Sequence, residues 1–157
     1  MNNKTKDRYR RVIRVIMVLL AAFLLLLGLG VPVTNNAIAM GIARDMQEFE
    51  LPADTHIVDV TSAAGRFGGR GSIRYFGALL LRSDLSEEAL QTYYSAFSKD
   101  LQTTYHVERQ SGRKITCLGD YDLSFHESVE DDDFFIVYTV RRGGNALQWW
   151  MDMDTRG

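Results

Sequence analysis

Cysteine, histidine and proline are scarce in this chain of 157 residues, which holds one cysteine, three histidines and two prolines. A lone Cys117 excludes an intrachain disulfide, so the folded part must be held together by buried apolar surface. His56, His106, His126 and Cys117 show none of the short paired spacings of a zinc site, and no metal or other cofactor is expected. The sequence contains no Gly-x-Ser-x-Gly elbow, no His-Glu-x-x-His and no Gly-Lys-Ser/Thr closing a phosphate loop. Carboxylate pairs abound among twenty Asp/Glu and therefore single out nothing. No catalytic residue is nominated.

The most consequential absence is of charge. From Val15 to Val33 (VIMVLLAAFLLLLGLGVPV) there is no ionisable side chain and almost nothing polar. As a helix this stretch is roughly 28 Å long, close to the ~30 Å hydrocarbon thickness of a bilayer. Ahead of it stand Lys4, Lys6, Arg8, Arg10, Arg11 and Arg14 against Asp7 alone, and positive charge beside an apolar span is kept in the cytoplasm. The expectation is a single-pass transmembrane anchor in the cell membrane, amino terminus inside and the remainder outside. The short basic tail suits a bacterial inner or sole membrane.

A secretory signal peptide opens the same way, and Ala37-Ile38-Ala39 supplies the small-residue pattern of a cleavage site. The alternative is then a secreted domain released near Ala39. Against it, the apolar run exceeds the ~7–15 residues of a signal core, and Pro32, Asn35 and Asn36 separate it from the cut. No cysteine lies near the end of the run, which excludes a lipid-modified cysteine at a processed terminus.

Charge divides the chain. Residues 1–14 carry net +5, whereas the rest has twelve Lys/Arg against nineteen Asp/Glu, net −7. A net acidic outer part is a poor nucleic-acid binder. Four stretches follow: a basic tail 1–14, an anchor 15–33, a juxtamembrane stalk 34–52 and one extracytoplasmic domain 53–157. Within the stalk Ile38, Ile42, Met46 and Phe49 recur at helical spacing, Asn35 or Asn36 can cap a start, and Pro52 disfavours helix at Leu51. This segment reads as a short amphipathic helix or a continuation of the anchor.

The domain has an α+β pattern. His56–Ser62 and Ser72–Arg82 alternate as two strands joined by a glycine-rich connection, a hairpin. The second is apolar on both faces around Gly77, which suggests a central strand, bulged at that glycine or not. Ser86 caps a helix whose Leu90, Tyr93, Tyr94, Phe97 and Leu101 form one apolar stripe. Thr104–Gln110, a long strand Lys114–Glu127, Phe134–Arg142 and, past Gly143-Gly144, the alternating Leu147–Asp154 complete a β-meander. The expected architecture is an antiparallel sheet of hairpin, helix and meander, covered on one face by the helix. Cys117 shares the core-facing parity of the long strand and is expected to be buried and unpaired.

Two local patterns invite a chemical reading. Arg66, Phe67 and Arg70 sit in the Gly65–Gly71 connection, where an exposed tip could meet an acidic partner or lipid headgroup; they are the candidate binding residues. Glu127 and Glu130–Asp133 form an acidic loop, but it lacks the central Gly and terminal Glu of an EF-hand and reads as a solvated turn. The functional expectation is a membrane-anchored, non-catalytic interaction or sensing module for an extracytoplasmic protein or envelope component. A secreted binder or inhibitor and a small hydrolase without a motif are the alternatives.

Overall fold

The computed structural model describes residues 3–67, 72–98, 103–119, 121–129 and 133–143. One helix, α1, runs uninterrupted from Asn3 to Gln47. The strands are β1 (Thr55–Gly65), β2 (Arg74–Ser83), β3 (His106–Arg109) and β4 (Phe134–Arg142), with a helix α2 (Glu87–Ser95) between β2 and β3. They form one antiparallel sheet in the order β1-β2-β4-β3. The fold is therefore α+β, a long apolar helix followed by a small sheet with helices on it.

At 1.5 Å per residue α1 is about 67 Å long, and its two halves have opposite surroundings. It is long and apolar enough to cross a membrane. Among the described residues every large apolar side chain left exposed lies on it, from Tyr9 to Leu26 with Val33 and Met40 beyond. From Val31 onward the helix turns a buried face to the sheet. Ala39, Ile42 and Met46 join Tyr75, Leu79 and Leu81 of β2, Leu90 and Tyr94 of α2, Val107 of β3, and Phe135 and Val137 of β4 in one core. The stripe Ile38, Ile42 and Met46 is thus the sheet-facing side of α1, and Phe49, just past its end, packs against the same core.

The segment 34–52 is consequently not a free stalk. Asn35, expected to cap a helix start, lies buried in mid-helix and accepts a hydrogen bond from the Tyr75 hydroxyl (3.0 Å). Pro32 sits inside α1 and removes one intrahelical donor without ending the helix. The Thr34 hydroxyl donates to the Gly30 carbonyl (2.8 Å).

The closest approach of helix to sheet is at Gly77. A Cβ there would lie 2.8 Å from Ile42 Cγ2 and 3.0 Å from the Ala43 backbone nitrogen. This glycine marks backbone proximity, and the bulge lies instead in β1, between Ile57 and Asp59. β2 is central, as its two-faced apolarity implies, with Leu79, Leu80 and Leu81 all fully buried.

α2 starts as the sequence implies: Ser86 Oγ accepts from the Ala89 N–H (3.2 Å), and Glu87 and Glu88 occupy the first turn. It stops earlier than the stripe suggests. The amides of Ala96, Phe97 and Ser98 bond three residues back, tightening the last turn, so Phe97 lies beyond the helix and is half-buried. Leu101 lies outside the described residues. The Gln91 amide bridges α2 to β3, donating to the Tyr105 carbonyl (3.0 Å) and accepting from the Val107 N–H (2.9 Å).

The opposite sheet face is covered by chain 110–129, where the long strand Lys114–Glu127 was expected. The segment folds back on itself, with one isolated bridge between Lys114 and Ser124. The Ile115 N–H donates to Leu123 O and the Phe125 N–H to Arg113 O, both at 2.9 Å. Gly119, at φ +67°, takes the turn between them. The parity found the buried side chains but not the backbone. Ile115 and Phe125 are buried among Phe76, Leu80 and Ile136, and Leu118, at an even-numbered position among the segment's odd-numbered core residues, is buried with them. The expected strand Leu147–Asp154 lies outside the described residues.

If Gly77 is required for this approach, Gly77→Ala should destabilise the protein by about 1–3 kcal/mol. Gly41, on α1 with open space at its Cβ position, is the control: Gly41→Ala should stabilise by about 0.5–1 kcal/mol. Denaturant titration of both variants in the same micelles checks the opposed signs.

Candidate functional site

The candidate residues of the glycine-rich connection are not presented together. Arg66 is exposed just past β1. Phe67 is buried, its ring edge-on to Tyr121 (4.6 Å between centroids) and 6.3 Å from Phe76. It is core, because the chain turns at Gly65 onto the sheet face covered by 110–129; a Cβ at Gly65 would meet the Tyr121 ring at 2.9 Å. Arg70 lies outside the described residues.

The surface that the sheet leaves open is the outer edge of β1. The Asp84 N–H donates to Asp54 O (3.4 Å) and the Ser83 N–H to Asp133 O (3.1 Å), so even-numbered β2 residues face β1 and odd ones face β4. Carried through the register, Asp59, Thr61 and Ala63 turn their main-chain groups to β2, while Val60, Ser62 and Ala64 turn theirs outward. The Val60 N–H is taken by Asp59 Oδ1 (2.7 Å).

This edge forms the floor of a groove. One cleft of roughly 320 Å³ lies between Met40, Ala43, Arg44 and Gln47 of α1, Val60–Ser62 and His126. A second of roughly 300 Å³ continues it between Asn36 and Met40, Ser62–Ala64 and Tyr121–Leu123. The two share Met40 and Ser62. A helix and a loop thus wall a strand edge whose outward main-chain groups are those an added strand would pair with.

Asp59 holds the loop wall in place. Its Oδ2 accepts from the His126 N–H (2.6 Å) and the Glu127 N–H (3.2 Å), and the exposed His126 ring stands 3.7 Å away. Partial burial works to raise the Asp59 pKa, but the amides of Glu127, Val60 and His126, together with the His126 ring, outweigh it and hold the carboxyl below its usual value. Neither the bulge nor this capping role is marked by a local motif, since Asp59 and His126 are 67 residues apart.

A further cleft of roughly 490 Å³ lies by the end of α1, lined by Asp45, Glu48, Phe49, Phe97, Thr103, Tyr105 and Arg141. Phe49 stacks on Phe97 (4.4 Å) and meets Tyr105 edge-on (5.3 Å). The cleft mixes aromatic walls with charges of both signs, and none of its described lining residues pairs a nucleophile with a histidine. Cys117 is free and half-buried, and burial, with Glu108 nearby, pushes its thiol up to about 12, far from a reactive thiolate. Among the described residues no group of three or more His, Cys, Asp or Glu could hold a metal ion. No protein-family model, curated protein or solved structure matches the chain.

The Asp59 network predicts an acid-sensitive wall. A carboxyl whose folded pKa is depressed contributes stability that is present above its unfolded value and is lost as pH falls through the lower folded value. Asp59→Asn should cost about 1–3 kcal/mol near neutral pH, and the gap to the unaltered protein should close in that acid window. Denaturation midpoints of both proteins across the acid range check this.

Proposed function

We propose that the chain is a single-pass membrane protein that displays a non-catalytic interaction module outside the cytoplasm, with the β1 groove as its binding surface. The reading rests on one observation: the helix that is bare and apolar over Val15–Leu26 is the same helix that fills the core at Ala39, Ile42 and Met46. Exposed apolar surface of that extent needs a bilayer, and the cluster of Lys/Arg before it favours a cytoplasmic amino terminus.

The same helix weighs against release by cleavage. A cut after Ala39 would remove Val31, Asn35 and Ala39 from the core and leave the Tyr75 hydroxyl, itself buried, without its acceptor. Anchor and domain are built as one piece. The ligand class that suits the groove is an extended segment of an extracytoplasmic protein or envelope component, held by main-chain pairing to Ser62 and its neighbours.

A reporter active only in the cytoplasm should be silent when fused after Gly157, and the intact mass of the membrane-extracted protein should retain the residues before Met40. Strong reporter activity would reverse the topology, and a mass beginning at Met40 would favour the secreted alternative. For the groove, a photoreactive residue at Ser62 should give a discrete adduct in cells, whereas one at Thr92, on the exposed side of α2, should not. Equal labelling from both positions would count against β1 as the binding edge.

A further inference from the structure

The sheet lies on α1 with a definite polarity. From Val60 to Ala64 the α1 residues across the groove step back from Gln47 to Asn36, and Tyr75, near the start of β2, reaches Asn35. The end of β1, the start of β2 and the end of β4 are therefore the end of the sheet nearest the apolar run, which stops at Val33. Asn35 is only about 3 Å further along the helix axis, and the headgroup layer adds about 5–8 Å to each side of the hydrocarbon.

Arginine is concentrated at this end. The register sets Gly65, Arg74 and Arg142 in one row across β1, β2 and β4, and Arg66 follows Gly65. Arg66 and Arg142 are exposed and Arg74 is half-buried. Side chains directly opposed on antiparallel strands stand about 5 Å apart at Cβ, where like charges repel. Among the described residues neither Arg74 nor Arg142 has a carboxylate within ion-pair distance. Asp122 lies on the groove wall beside Asn36. A cross-strand arginine pair in a net acidic domain calls for an anion from outside, and its place in the fold names the source.

We propose that Arg66, Arg74 and Arg142 bind the phosphates of anionic phospholipid on the membrane face from which α1 emerges, fixing the tilt of the sheet. The inference rests on the reading of α1 as a membrane span. Guanidinium forks match phosphate oxygens in two-point hydrogen bonds, and the opposed Arg74 and Arg142 on β2 and β4, with Arg66 just past the end of β1, place three of them at one end of the sheet. With the row in the headgroups, the groove along β1 opens to the side, where a partner in solution or in a neighbouring membrane protein reaches it.

The test uses the full chain in nanodiscs of phosphatidylcholine, with or without phosphatidylglycerol. Amide exchange at Gly65, Arg66 and Ile73–Tyr75 should slow when phosphatidylglycerol is present, with about fivefold lost per arginine removed, and high salt should abolish the difference. The triple variant Arg66→Gln, Arg74→Gln, Arg142→Gln should show equal exchange in both lipids, while Leu79–Leu81 report that the core is intact. Should that variant lose core protection, Arg142→Gln alone, at an exposed position, must still reduce the lipid dependence. Equal exchange of the unaltered protein in both discs, or an unchanged lipid dependence in the arginine variants, overturns the proposal. So does equal slowing on adding inorganic phosphate to neutral discs, which would identify a soluble-anion site. Failure of the anchor reading appears separately, as protein that does not co-elute with the discs.

Discussion

The contact on which the rest of the structure depends is the backbone-to-backbone approach of α1 and β2 at Gly77. With no side chain at this position, the helix settles directly on the central strand, the Ala43 nitrogen 3.0 Å from where a Cβ would stand. Ile42 and Met46 then enter the same core as Leu79 and Leu81, and Asn35 comes within reach of Tyr75. A larger residue at Gly77 would lift the helix off the sheet and open that core along its length. Because the same helix carries the apolar run, this local approach also sets where the sheet lies relative to Val33.

The sheet is small, and it is stable only if both faces are covered. One face has α1 and α2, with the Gln91 amide tying α2 to the edge strand β3. The other is closed by the folded-back segment 110–129, anchored by Ile115, Leu118 and Phe125 and pinned to β1 through Asp59. That arrangement explains why the middle of β2 is apolar at consecutive positions. It leaves β1 as the long edge, and the bulge beside Asp59 shapes the part of it that borders the groove.

If α1 spans a membrane as proposed, its continuity with the core couples membrane and domain mechanically. There is no linker in which a rotation of the span could be lost, so tilt or twist of the helix is carried into the sheet. Arginines at the near end, a groove along one edge and acidic side chains such as Asp84, Glu87 and Asp133 toward the far end give the domain a top, a side and a base. On the reading proposed above, that layout would set the height at which a partner is met above the membrane.

What the amino-acid sequence determined by itself was whatever rests on local periodicity and composition. The uncharged run Val15–Val33, the Ser86 cap, the strands around Val60, Leu79 and Val137 and the α+β class were all legible, because each depends on neighbours within a turn or a pleat. The apolar parity of Lys114–Glu127 was legible too, but parity specifies which side chains are buried and not how the backbone bends; a turn at Gly119 meets the same pattern as a strand. Tertiary structure alone decided that residues 34–47 belong to the core, since an amphipathic stripe does not name the surface it packs on. It alone buried Phe67, brought Asp59 to His126, and set Arg74 opposite Arg142. Those relations join residues tens of positions apart, and strand register, not local sequence, places them.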